Sequence, residues 1–192
     1  MKLLENKTAI ITGATRGIGR GIAVEFAKQG ANVAFTFSSS VDAANALEIE
    51  LNALGIKAKG YQSNAAEFET AQELAKEILK EFGSIDVLVN NAGINLIKPM
   101  LQMTESEWEN IFSVNLKSYW LCARAIAPQM IERGEGGKII NASSKAGKSP
   151  SRYAPIGAYS TTKHGVIGFT RSLAIELAPS KINVNCFCFS VL

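Results

Sequence analysis

Residues 8–19 read TAIITGATRGIG, and this segment indicates the fold most directly. Its first five residues are apolar or β-branched and predict a short buried strand. The glycines that follow, Gly13, Gly17 and Gly19, let the chain turn tightly and let backbone N–H groups approach a pyrophosphate, because no Cβ intervenes. A glycine cluster alone would specify little. Placed between the first strand and the first helix, it predicts a dinucleotide-binding turn.

Short β-rich runs alternate with longer helical patterns from this turn to the end of the chain. Strands that are apolar on both faces are typical of parallel sheets covered by helices, and right-handed crossovers then alternate the helices between the two faces. The pattern predicts an α/β fold, a Rossmann-type doubly wound parallel sheet. The predicted strands are residues 8–12, 32–37, 57–62, 86–90, 138–142 and 182–187; the predicted helices are 18–29, 41–54, 67–82, 105–133 with a break near 113, and 158–177.

The composition fits one globular domain over residues 1–192, with 47% hydrophobic and 19% charged positions. The 20 basic residues are scattered among 17 acidic ones, which argues against a nucleic-acid surface. Residues 1–7 lack the apolar core of a signal peptide, and no apolar run approaches the roughly 20 residues that span a bilayer. We therefore expect a cytoplasmic protein without membrane partners.

The three cysteines are Cys122, Cys186 and Cys188. They cannot all pair, and no second cluster accompanies the Cys-x-Cys to complete a metal site. We expect reduced thiols that fill apolar space, and no metal.

The residues after the second predicted strand indicate the cofactor. A protein that binds NAD places an acidic side chain there to accept hydrogen bonds from the ribose 2′-hydroxyl. This chain has Ser38 and Ser39 instead, and no acid before Asp42. Hydroxyls can donate to a 2′-phosphate, and Arg16 can supply positive charge, so NADP(H) is favoured over NAD(H). The alternatives are a serine cap for the next helix and a solvated arginine.

Tyr159 and Lys163 lie four residues apart at the start of a predicted helix, hence on the same face. A nearby cation stabilises a phenolate, and each unit by which the tyrosine pKa falls requires about 1.4 kcal/mol. The spacing alone is common in helices. Ser144, just past the fifth predicted strand, lies at the carboxyl edge where ligands bind and can donate to a substrate oxygen.

Ser144, three residues before Gly147, fits the serine of a known family, and Ser143 is the fallback. Four separated motifs carry the resemblance to that family. In this order they resemble the short-chain dehydrogenase/reductase family across essentially the whole chain. The motifs are Thr12-Gly13-x-x-x-Gly17-x-Gly19, Asn90-Asn91-Ala92-Gly93, Asn115 in Val114-Asn115-Leu116, and Tyr159-x-x-x-Lys163.

The resemblance implies a role for each matched residue. Tyr159 becomes the general acid or base, and Lys163 lowers its pKa and bonds the nicotinamide ribose. Ser144 polarises the carbonyl, and Asn115 holds a water that links Lys163 to solvent. The implied cofactor-binding residues are Gly13, Thr15, Arg16, Gly17, Ile18, Gly19, Ser38, Ser39, Asn64 beside the adenine, Asn91, Ala92, Gly93, Tyr159 and Lys163.

After Asn185 the family continues into a Pro-Gly loop at the nicotinamide, a substrate-covering segment and a last strand. This chain reads CFCFSVL over residues 186–192 instead. We therefore expect the domain to be incomplete at its C-terminus, without the final strand, and its activity to be weak or lost.

Three functions follow as expectations. The first is a reductase resembling the 3-oxoacyl-acyl-carrier-protein reductases of fatty acid biosynthesis, which acts on a carbonyl or alcohol, with a carrier-protein thioester as one candidate substrate, and forms a homo-oligomer. The second is a sugar or polyol dehydrogenase, which residues 91–95 and 144–148 resemble equally well. The third is a catalytically silent nucleotide-binding module.

Overall fold

A computed structural model describes residues 2–63, 67–149 and 154–189. Its centre is a parallel six-stranded sheet in the order β3-β2-β1-β4-β5-β6. This confirms the predicted doubly wound sheet. The strands are β1 Thr8–Ile11, β2 Asn32–Phe37, β3 Ala58–Gln62, β4 Val87–Asn90, β5 Gly137–Ser144 and β6 Ile182–Phe189.

Six α-helices surround the sheet in the described part of the chain. They are α1 Gly17–Lys28, α2 Val41–Asn52, α3 Phe68–Phe82, α4 Glu105–Phe112, α5 Ser118–Arg133 and α6 Gly157–Leu177. No helix among the described residues is both long enough and apolar enough to cross a membrane.

Two apolar clusters cover opposite faces of the sheet. Ala9 and Ile11 of β1 pack with α1 and α2, whereas Ile10 between them packs with α3, α5 and α6. Successive side chains of a strand point to opposite faces, so β1, buried along its whole length, feeds both clusters. This explains why its sequence is continuously apolar.

The central strand β1 pairs with β2 on one side and with β4 on the other. The helix that follows β1 packs on one face, and α5, which comes after β4, packs on the other. The chain therefore diverges at the carboxyl ends of β1 and β4, and this divergence opens the crevice in which such sheets bind ligands.

The structure confirms one sequence-based boundary and corrects another. The break predicted near Ser113 is a π-helical turn, Ser113–Lys117, between α4 and α5. Strand β5 was expected to end at Ala142 but continues to Ser144, because its ladder with β6 extends to the pair Ser144 and Phe189. Ser144 is thus the last residue of the strand, not a residue beyond it.

Candidate functional site

The glycine turn between β1 and α1 forms one wall of the crevice. Gly13 and Gly17 have φ angles of +67° and +57°, which favour glycine. A Cβ at Gly19 would lie 2.4 Å from Asn91 Nδ2, and one at Gly13 would lie 3.0 Å from the Ala92 backbone. Two of the three glycines are therefore required by the close approach of a neighbouring segment.

The neighbouring segment is Asn91-Ala92-Gly93, which follows β4 and is bonded to the end of β1. Asn91 Nδ2 donates to the carbonyls of Thr12 at 2.9 Å and Gly13 at 3.1 Å. In return, Thr12 Oγ1 accepts from the backbone N–H groups of Asn91 at 2.9 Å and Ala92 at 3.0 Å. These four hydrogen bonds hold the two predicted cofactor motifs together as one wall.

The cleft beside these motifs has a volume of about 490 Å³. It contains most of the predicted cofactor residues, and none of its lining residues is acidic. Ser39 is exposed, and Ser39, Tyr159 and Lys163 are not among the lining residues. Asn64 lies outside the described residues. The lining residues are Gly13, Thr15, Arg16, Gly17, Ile18, Gly19, Thr36, Phe37, Ser38, Ser63, Asn91, Ala92, Gly93, Ile94, Val114 and Ser118.

Asn115 lies in the π-helical turn and is completely buried. Its side-chain amide accepts from Ile94 N at 2.8 Å and donates to Ile94 O at 2.8 Å. It also donates to Thr162 Oγ1 on α6 at 3.3 Å. The side chain therefore joins the cleft wall to the helix that carries Tyr159 and Lys163.

Lys163 reaches the same region from α6 and is only 3% exposed. Its Nζ donates to the Ala142 carbonyl at 2.7 Å and to the Tyr119 hydroxyl at 3.3 Å. A Cβ on Gly93 would lie 3.7 Å from this Nζ and 3.3 Å from Asn115 Oδ1, so the ammonium lies directly behind the cleft wall. Burial lowers the pKa of Lys163 to about 8, because the charged form loses hydration.

Tyr159 is half-buried at the first turn of α6, and Lys163 Nζ lies 5.7 Å from the centre of its ring. The predicted pair therefore shares one side of the helix. A phenol close to a buried ammonium is an arrangement that proton-transfer chemistry can use.

The two candidate serines at the end of β5 differ in what they bind. Ser143 is fully buried, and its Oγ donates to the Lys163 carbonyl at 2.9 Å. Ser144 is 8% exposed, and its Oγ accepts from Ala146 N at 3.2 Å. Accepting that bond leaves the Ser144 hydroxyl hydrogen available for another acceptor. This difference favours Ser144 over Ser143 as the serine that would meet a substrate oxygen.

Sequence reasoning missed the hydrogen bonds among the buried polar groups behind the site, of which it named only Asn90, in the motif Asn90-Asn91-Ala92-Gly93. Asn90 Nδ2 donates to Asn141 Oδ1 at 2.9 Å, and Asn141 Nδ2 donates to Thr170 Oγ1 at 3.0 Å. This chain of bonds joins β4, β5 and α6. Tyr119, which contacts Lys163, was missed as well. Each of these residues stands at a core position of an otherwise apolar pattern. The only sequence signal for each was a polar residue type at that core position.

Comparison with known proteins agrees with this geometry. A family model described as short chain dehydrogenase matches residues 7–192. The 3-oxoacyl-acyl-carrier-protein reductase of Staphylococcus epidermidis is 42% identical over 182 residues, which are 94% of this chain and 72% of that protein. The diacetyl reductase, (S)-acetoin forming, of the same species is 40% identical over 185 residues, or 95% of this chain and 70% of that protein.

Solved structures match over nearly the whole chain. A short-chain type dehydrogenase/reductase from Mycobacterium marinum has a TM-score of 0.93 at 34% identity, covering 96% of this chain and 74% of that one. A metagenomic short-chain oxidoreductase in complex with NADP has a TM-score of 0.91 at 36% identity, covering 98% of this chain and 84% of that one. Sequence, fold and site geometry thus agree that the chain belongs to the short-chain dehydrogenase family of oxidoreductases, which act on alcohols and carbonyls.

Proposed function

We propose that this oxidoreductase uses NADP(H) and reduces the keto group of 3-oxoacyl thioesters. The observation that carries the cofactor choice is the cleft itself. Arg16 and Ser38 line it and are exposed, and none of its lining residues is acidic. A carboxylate at the end of β2 would repel a 2′-phosphate, whereas a guanidinium and a hydroxyl can both donate to it. The NADP-bound structural relative supports the same choice.

The residues present fit a dinucleotide. The glycine turn keeps its backbone open where a Cβ would collide with Asn91 or Ala92, and its N–H groups lie at the start of α1, where the helix dipole favours an anion. These groups would hold the pyrophosphate, and Arg16 with Ser38 would hold the 2′-phosphate. Bound there, NADP(H) supplies or accepts the hydride.

The catalytic roles follow from the contacts of the chain's own residues. In the direction of reduction, the Tyr159 hydroxyl would donate a proton to the substrate oxygen, and the Lys163 ammonium would stabilise the phenolate that remains. The Ser144 hydroxyl, whose hydrogen is available, would donate to the same oxygen as negative charge develops. Asn115 would keep α6 in register with the cleft wall through Ile94 and Thr162.

The partners belong to this proposal as well. We assign residues 1–192 to one catalytic domain, with a small carbonyl or a carrier-protein thioester as substrate and a second copy of the chain as oligomeric partner. The cytoplasm is the proposed location. The support for the thioester is the 42% identity to a 3-oxoacyl-acyl-carrier-protein reductase over 94% of this chain.

A cofactor titration tests the first half of the proposal. Quenching of tryptophan fluorescence is measured for NADPH and NADH with the wild-type protein, with Ser38→Asp, and with Ser106→Asp as a control that adds a carboxylate on the exposed side of α4. We expect NADPH to bind about 10-fold or more tighter than NADH, and Ser38→Asp to reverse the order, because a like-charge contact that costs about 1.4 kcal/mol already changes affinity tenfold. The control should keep the wild-type order. Tighter binding of NADH by the wild type would refute the cofactor assignment.

Turnover on a substrate panel tests the second half. Acetoacetyl thioesters, diacetyl and a series of sugar alcohols are compared by the absorbance of NADPH, with Tyr159→Phe as the catalytically impaired control. Preference for acetoacetyl thioesters supports the proposal. Preference for diacetyl would favour the second candidate, a small-diketone reductase, which the 40% identity to a diacetyl reductase suggests. Preference for sugar alcohols would support the polyol alternative.

A further inference from the structure

Tyr119 is a buried tyrosine that contacts the proposed catalytic lysine. It lies in the first turn of α5 and is completely buried. Its hydroxyl accepts from Lys163 Nζ at 3.3 Å and donates to the Ala142 carbonyl at 3.3 Å. Lys163 Nζ also donates to that carbonyl at 2.7 Å. The three groups therefore form a closed triangle of hydrogen bonds in a region removed from water.

The π-helical turn before α5 places Tyr119 against α6. Asn115 lies in that turn and Tyr119 follows it by four residues, and both project toward α6. Asn115 bonds Thr162, and Tyr119 bonds Lys163, the next residue along. The two hydrogen bonds together connect the π-helical turn and the start of α5 to the part of α6 that carries Tyr159 and Lys163.

Among the described residues, the titratable groups that face the Lys163 ammonium are two tyrosines. Tyr119 faces it from α5, with the ring centre 5.2 Å from Nζ, and Tyr159 faces it from its own helix at 5.7 Å. From β5 it meets the uncharged Ala142 carbonyl, and from the loop after β4 it lies near Gly93. Burial raises the pKa of Tyr119 well above its usual range, and charge on Tyr159 raises it further, so Tyr119 stays neutral and acts as a hydrogen-bonding hydroxyl.

We propose that Tyr119 is a positioning residue that holds the Lys163 ammonium behind the cleft wall and keeps it charged. The hydroxyl provides an acceptor, and the ring face provides a region of negative potential, both of which favour the cation over the neutral amine. The Ala142 carbonyl completes the site and fixes the direction of the ammonium. The proposal rests on the function proposed above for Lys163, but it predicts a property of the cofactor-free protein that can be measured without any activity.

The experiment is an NMR titration of the lysine side-chain ¹³Cε signals in the cofactor-free protein, with the Lys163 signal assigned by its loss in Lys163→Met. In Tyr119→Phe we expect the pKa of Lys163 to fall by about 0.5–1 pH unit, since one net hydrogen bond to the charged form is lost. Tyr119→Leu, which also lacks the ring, should lower it further and serves if the phenylalanine variant does not fold. The alkaline limb of kcat/KM should move down by the same amount.

Tyr61→Phe is the matched control. Tyr61 is also buried, and its hydroxyl has no hydrogen-bond partner among the described residues. It should leave both the Lys163 signal and the pH profile unchanged. A Lys163 pKa that is the same in Tyr119→Phe as in the wild type would overturn the proposal and leave Tyr119 as packing alone. A shifted pKa together with full activity of Lys163→Met would instead uphold the positioning role and refute the proposed function of Lys163.

Discussion

Lys163 is held in the folded protein at a thermodynamic cost. Burial lowers its pKa to about 8, below the value of about 10.4 that it has in an unfolded chain. Between these two values the unfolded state binds more protons, so stability rises with pH in that interval. Below pH 8 the ammonium is charged in both states, and the full cost of burial is present. The charged state that the proposed chemistry needs is therefore one that burial disfavours.

Replacement of Lys163 by methionine should separate function from stability. Methionine fills a similar volume without charge, and the Ala142 carbonyl keeps its bond from Tyr119. We expect Lys163→Met to lose about 100-fold or more in kcat, as expected when a group that supports proton transfer is removed. Its free energy of unfolding near pH 7 should rise by up to about 3 kcal/mol, and this gain should shrink toward about pH 10.

Urea unfolding near the two pH values checks the stability part, with Lys76→Met as the control. Lys76 is exposed on α3, so its replacement should change stability little at either pH. A Lys163→Met variant that is less stable than the wild type near pH 7 would show that the bonds to Ala142 and Tyr119 outweigh the cost of burying the charge.

The alternation of strand and helix patterns in the sequence was sufficient to predict the six strands and the order in which helices follow them. The features that hold the site were less accessible. The π-helical turn Ser113–Lys117 shifts which residues of the helix face the core, and the sequence periodicity indicates this turn only as a break. Asn115 could be assigned a role by family resemblance alone. Tyr119 and Asn141 follow the apolar pattern of their elements, and their partners lie 44 and 29 residues away in the chain.

The start of α1 allows a direct test of the glycine turn. A Cβ at Gly19 would lie 2.4 Å from Asn91 Nδ2 and 2.5 Å from the Gly13 carbonyl, whereas one at Gly21 meets nothing within 4 Å. We expect Gly19→Ala to displace the turn, weaken NADPH binding by about 10-fold or more and destabilise the fold by about 1–3 kcal/mol.

The matched substitution Gly21→Ala, in the same helix, should stabilise the protein by about 0.5–1 kcal/mol, because alanine is the better helix former. Its affinity for NADPH should equal that of the wild type. Thermal unfolding and fluorescence titration of both variants measure these effects. If the two variants behaved alike, the close approach of Asn91 to the turn would not be what requires glycine at position 19.

Different helices cover the two faces of the sheet. The cluster that contains α3, α5 and α6 also includes Leu88 of β4 and Ile139 of β5. The hydrogen-bonded polar side chains from Asn90 to Thr170 join these two strands to α6. The site therefore depends on how α5 and α6 pack against each other and against the sheet. The outer surface of the same two helices carries a groove lined by apolar side chains.

That groove leads to a prediction about assembly. Trp120 and Ile131 line it and are 46% and 45% exposed, and Arg124 and Glu176 lie at the same surface. The oligomer proposed above would cover this exposed apolar surface with a second copy of the chain.

Ile131→Glu should therefore shift the protein toward monomer in sedimentation velocity, because a carboxylate would be buried at the contact. Ile49→Glu places the same charge on α2, the helix that packs on the other side of the sheet, at a side chain that is 73% exposed, and should leave the sedimentation coefficient unchanged. A wild-type protein that sediments as a monomer at about 100 μM, far above the Kd of a stable dimer, would rule out this contact.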